Sequence, residues 1–146
     1  MSHLAEIGNM PEILRLCALI RTLPQVDCPL EHYYLPGVCF RVMRLKAGTS
    51  LTGKIHKHAH IAVLLEGTLR LADDEHAFII TAPWVGMGKA GAKRLGYAET
   101  DCVFANILST DITDPAEMEA VLTCDTFDEY EIFLLEQDHE IPKQLP

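Results

Sequence analysis

Residues 48–67 read GTSLTGKIHKHAHIAVLLEG, and this stretch restricts the folds open to the chain more than any other. His56, His58 and His60 recur at a spacing of two. In an extended chain alternate side chains fall on one face, so the three imidazoles form one row. Lys54 has the same parity, while Ile55, Ile61, Val63 and Leu65 form the opposite row. A strand uses both rows only where each of its faces is covered. The spacing therefore predicts a central strand with the histidines turned inward.

The surrounding sequence extends this into an antiparallel sheet. VCFRVMRL (38–45) is strand-like, and AGTSLTG is a connection rich in small and turn-forming residues. After Glu66 and Gly67, TLRLA and HAFIITA are two strands around a polar tip of Asp73, Asp74 and Glu75, and CVFANIL (102–108) is the last strand. Strands joined by short turns with no helix between them point to an all-β antiparallel architecture.

Helical signals lie outside this region. Asn9 is placed to cap a helix, Pro11 suits its first turn, and Ile13, Leu14, Leu16, Cys17 and Ile20 recur at helical spacing up to Leu23 and Pro24. The prolines of VDCPLEHYYLPGV suggest short extended pieces, an arm across the outside of the sheet. Downstream, Asp114, Pro115 and Glu117, then Thr126 and Glu129, mark the starts of two helices; Phe127, Tyr130 and Leu134 share a face of the second. The expected division is a helix and arm over 1–37, a barrel over 38–110 and an acidic helical extension over 111–146.

Composition narrows the function classes. A chain of 146 residues with 49% hydrophobic content is sized for one compact core. No apolar run approaches a membrane span, and MSHLAEIGNM lacks the basic-then-apolar order of a signal peptide, so a cytoplasmic protein, or one in a particle assembled inside a cell, is expected. The five cysteines include no Cys-x-x-Cys pair and read as reduced, mostly buried thiols. Of the net charge of −9, the stretch from 101 to 146 contributes twelve acidic residues against one basic. With no basic patch elsewhere, neither nucleic acid nor membrane is an expected partner. Signatures of the common hydrolases, nucleotide binders and metalloproteases are absent.

The histidine stretch also resembles the first motif of the cupins, small jelly-roll barrels. In that motif a glycine is followed after five residues by His-x-His, then by Glu and by a closing Gly. With Gly48 and Gly67 as anchors the spacing fits without a gap; Lys54 takes the first histidine position, His56 the second and His60 the glutamate position, with His58 an extra histidine. In the second motif Lys89, Gly91 and Arg94 stand at the proline, glycine and histidine positions, and only the glycine is kept. The resemblance covers about residues 38–108; more narrowly, GKIHKHAH looks like small cupin-like proteins of phages and prophages. It implies an antiparallel cupin or jelly-roll barrel, to which the helical signals outside it add an N-terminal helix and a C-terminal helical extension.

The chemistry stays open between three readings. Neutral imidazole is a common ligand, and the cupin resemblance gives His56 and His60 the strongest claim to a divalent transition metal (zinc, iron, nickel or manganese). Three histidines on one ideal strand extend over roughly 13 Å, against metal–nitrogen bonds of about 2.0–2.1 Å. Either the strand is bulged or another strand supplies a ligand, for which Glu66, Glu99 and Asp101 are the candidates. Alternatively, Lys54 and Arg94 repel a metal and, with His58 and its neighbours, bind a small anionic ligand such as a carboxylate or phosphate. The third reading is a filled barrel whose histidines only hydrogen-bond internally. A binding protein without established catalysis is the primary expectation. A metal-dependent dioxygenase, isomerase or epimerase is the first alternative, and a jelly-roll component of a phage particle the second; a homo-oligomer or particle subunit is expected, with the acidic helices packing on the barrel or on a neighbouring subunit. Trp84 reads as packing, His76 as an exposed histidine and Cys102 as unactivated.

Overall fold

The computed structural model describes residues 10–144 apart from residue 74. Helix α1 (Met10–Thr22) presents Ile13 and Cys17, one turn apart, to Ala72 and Leu95, and both are fully buried there. Asn9, its expected cap, lies outside the described residues. The helix stops ahead of Pro24, which removes a donor and clashes with a continuing turn.

The strands are β1 (Leu30–Leu35), β2 (Val38–Leu45), β3 (Ser50–Thr52), β4 (Ile55–His56), β5 (His60–Glu66), β6 (Thr68–Ala72), β7 (Ala77–Thr81), β8 (Trp84–Gly88), β9 (Leu95–Ala98) and β10 (Cys102–Ser109). They are followed by α2 (Pro115–Leu122), β11 (Thr123–Cys124) and α3 (Phe127–Gln144). A five-stranded sheet runs β1-β2-β10-β5-β8, a four-stranded sheet β3-β9-β6-β7, and β11 pairs with β4; every pairing is antiparallel. Leu45, Ala62, Leu64 and Phe104 of the first sheet meet Leu69, Leu71, Ile80 and Ala98 of the second. This is the antiparallel all-β architecture the strand order called for, in the jelly-roll layout the resemblance implied; β5 is interior to its sheet, but its outer face is not covered as the spacing predicted, and the sheets do not close into a barrel.

One local outcome differs from the sequence reading and two fill it in. Residues 30–35 do not lie across the sheet but form its edge strand, so pairing begins ahead of residue 38; the prolines flank this strand, and Gly37, at φ +80°, makes the turn into β2. In the β6–β7 tip, Asp73 Oδ1 accepts from the amides of Glu75 and His76, and Asp74 lies outside the described residues. The acidic extension is built into the body. Asp114 caps α2 by accepting from Glu117 N, Met118 is buried against Cys39 and Leu108, and β11 adds a strand beside β4.

Helix α3 starts as its capping box predicts, Thr126 Oγ1 accepting from Glu129 N. It turns Tyr130 toward Gly91 and Phe133 toward His58, which leaves Leu134 exposed rather than on the packed face. Ile132 and Leu135 are exposed as well. All five cysteines are free, four of them buried. Among the described residues no helix is long and apolar enough to cross a membrane.

Candidate functional site

On β5, His60, Ala62 and Leu64 are buried, whereas Ile61 and Leu65 are exposed on the other face. The inward parity of His60 thus holds. His56 sits on β4 and is partly buried, and its ring stacks on that of His60 with centroids 4.0 Å apart. Its backbone is tied on both sides. Gly91 N donates to His56 O at 2.7 Å and His56 N to Ala92 O at 3.3 Å, while Lys57 N donates to Leu122 O at 2.9 Å. The single row of three histidines does not form, because the chain bends at residues 57–58 between β4 and β5. His58 is therefore exposed, edge-on to Phe133 at 5.5 Å.

Strand register supplies the rest of the site. Arg41 on β2 lies opposite Asn106 on β10, Asn106 opposite Ala62 on β5, and Ala62 opposite Gly86 on β8. At the bare end of this row the Trp84 ring covers Gly86 and Ala62 is packed into the core, while at the other end Arg41 and Asn106 border a cavity of about 730 Å³. Arg41, His56, His60, Arg94 and Asn106 line its polar part; Leu23, Val26, Leu30, Met43, Leu51 and Phe104 line the apolar part. A second cavity of about 240 Å³ shares His56 and His60, and His58 borders it.

Arg94, at the second-motif histidine position, lines the cavity, and its Nη2 donates to Met87 O at 2.9 Å. Lys54 also lines it but is exposed, and its ammonium lies 3.6 Å from Glu119 and 3.4 Å from Asp125. Of the other second-motif positions, Lys89 pairs with Glu75, and Gly91 takes φ +82° with the Tyr130 ring where a side chain would go. Arg41 and Asn106 are site residues the sequence reading missed. Asn106 carried a signal, as the one polar side chain inside the otherwise apolar run CVFANIL.

The electrostatics are cationic with neutral imidazoles. Burial first, then His60 and the guanidiniums of Arg41 and Arg94, push His56 down to about 3. Burial also lowers His60, with both arginines adding to the shift and the His58 backbone opposing it. Arg41 and Arg94 are lowered by burial, but a guanidinium keeps its proton throughout the accessible range. Among the described residues Arg41 makes no hydrogen bond or ion pair, and His60 Nδ1, Arg94 Nε and Asn106 Oδ1 are buried without hydrogen-bond partners.

This donor set does not fit the divalent metal that the fold family implies. Two stacked imidazoles beside two guanidiniums offer a cation repulsion instead of a charge-balancing carboxylate. The proposed extra ligands are elsewhere: Glu66 ends β5, six residues or about 20 Å along the strand from His60. Glu99 pairs with Arg70, and Asp101 accepts from Ala47 N at 2.8 Å. No group of three or more possible metal-binding side chains occurs among the described residues.

His60 reaches this position because the residue opposite it is Gly88, whose missing side chain leaves the slot its imidazole fills. Gly88→Ala is expected to displace the ring into a wetter position and raise its pKa toward 6.5, a shift an NMR titration of the imidazole protons measures. An unchanged titration would mean that the slot is not what fixes the ring.

The paired antiparallel sheets, with the site on their inner faces, define a cupin-like fold. The cupin 2 domain-containing protein from Halorhodospira halophila superposes with a TM-score of 0.52 at 15% identity, over 60% of this chain and 67% of that one. KdgF from Halomonas sp. gives 0.52 at 11% identity, over 62% and 87%, and the protein NMB1881 from Neisseria meningitidis 0.50 at 13%, over 67% and 96%. No family model matches the sequence, and no curated protein does. The narrower likeness to phage-encoded proteins finds no support in these comparisons.

Proposed function

We propose that the chain binds a small organic anion, a carboxylate or phosphate carried on an apolar body, in the large cavity. The observation that carries this reading is a pair of guanidiniums, Arg41 and Arg94, that line one cavity and, among the described residues, have no carboxylate paired to either. Glu119 attracts Arg41 from a distance but makes its ion pair with Lys54. An arginine fork matches a carboxylate or phosphate edge, and an anion there would satisfy donors that the protein leaves bare. Neutral His56 and His60 can each donate or accept one further hydrogen bond. The apolar part of the lining sets the body of the ligand, since a bare inorganic ion would leave Leu23, Val26, Leu30 and Met43 in contact with water. With His56 near 3, the histidines serve as hydrogen-bonding groups rather than as proton carriers at neutral pH.

Calorimetric titration with hexanoate, benzoate, hexanamide and inorganic phosphate tests the reading. Hexanoate or benzoate is expected to bind, with the amide far weaker. Arg41→Met and Arg94→Met should each reduce affinity about 30- to 100-fold, the loss of one charge-assisted contact of roughly 2–3 kcal/mol. Affinity should stay nearly level between pH 5.5 and 7.5, whereas imidazoles of ordinary pKa would strengthen it on acidification. Binding that both arginine variants retain, or zinc or nickel binding that His56→Ala abolishes, would overturn the proposal.

A further inference from the structure

The outer face of the five-stranded sheet is apolar from edge to edge. Register places Tyr33, Phe40, Ile107, Ile61 and Met87 in one row across all five strands. The adjacent row continues through Val42, Ala105, Val63 and Val85. Phe40 and Val63 pack on the buried Val42, Val103 and Ala105, which gives the face a solid floor. Above that floor, Tyr33 is 56% exposed, Leu35 70%, Ile61 36%, Leu65 45%, Val85 68% and Met87 63%.

We propose that this face is where two copies of the chain associate, sheet against sheet, about a two-fold axis. Three observations favour a second copy as the occupant. The exposed surface of those six residues comes to roughly 700 Å², close to the about 800 Å² each partner of a standard interface buries. A single continuous apolar patch is self-complementary under a two-fold axis, and aligned packing of two such sheets interdigitates branched side chains. Finally, the charge lies elsewhere: α2 and α3 pack on the inner side, through Met118 on Cys39 and Leu108 and through Phe133 on His58. Joining two outer faces therefore does not press the two acidic extensions together. The Glu31–Arg44 pair stands at one corner of the patch and is already neutralised.

Sedimentation velocity of the full chain gives the test. The wild type is expected to sediment at twice the 16.3 kDa chain mass at about 50 µM. The double variant Val85→Glu, Met87→Glu should sediment as a monomer, with a dissociation constant at least about 100-fold higher. Both side chains are mostly exposed, so the variant should keep its circular dichroism spectrum and melting temperature as a monomer at matched dilution. Ile132→Glu with Leu135→Glu, on the exposed face of α3, should leave the dimer intact. A monomeric wild type, a dimer that survives the sheet variant, or one that only the α3 variant dissolves would each overturn the proposal.

Discussion

Acidification from pH 7.5 to pH 5 is expected to lower the unfolding free energy by about 2 kcal/mol through His56 alone. In the folded protein the His56 imidazole titrates at about 3, held down by burial, by His60 and by Arg41 and Arg94, while in the unfolded chain it titrates near 6.5. Between those values the unfolded state binds the proton and the folded state does not. Stability from this source is thus complete above pH 6.5 and is lost progressively as the pH falls toward 3. His60 and His32, also lowered chiefly by burial, act in the same direction. Urea unfolding at the two pH values, repeated on His56→Gln, checks the effect: the variant should lose most of that difference whatever its own stability. Equal midpoints for the wild type at both pH values would show that the imidazole is hydrated.

Gly67→Ala is the substitution expected to destabilise the fold most, by about 3 kcal/mol or more. Gly67 sits at φ +91° between β5 and β6, and a methyl group there would run into Asp101 O, Cys102 Sγ and the Thr100 hydroxyl. Gly48, the other glycine anchor of the same motif, has φ +84° with open space around it, so Gly48→Ala should cost only the backbone term, about 1 kcal/mol. Denaturant midpoints of the two variants distinguish the cases. Similar midpoints would mean that the crowding at Gly67 relaxes at little cost.

The sequence made the sheet and one half of the site legible, for a definite physical reason. Period-two alternation reports which way a strand faces, so His60, Ala62 and Leu64 could be separated from Ile61, Val63 and Leu65 without coordinates. Arg94, which lines the cavity, was singled out by the resemblance to the second cupin motif and not by alternation. Alternation cannot report where a strand breaks, and the bend at 57–58 put His58 outside the row. Nor does it report which strands are neighbours. Arg41 and Asn106 meet only because β2 pairs with β10 in one particular register, a long-range property that hydrophobic pattern alone does not encode. In VCFRVMRL, Arg41 and Arg44 differ in parity and so face opposite ways, yet nothing local marks the inward one. The two-residue strand β11 was too short for any periodicity to register.

The pairing of β11 with β4 also sets an order of events during synthesis. When β10 leaves the ribosome, every strand of both main sheets is available, and the hydrophobic interior can close around Leu64 and Phe104. Glu119 and Thr123, which border the large cavity, and Leu122, which takes the amide of Lys57, are translated afterwards. The large cavity is thus walled in by a segment translated after both sheets, and until that segment arrives Arg41, Arg94, His56 and His60 lie open to solvent.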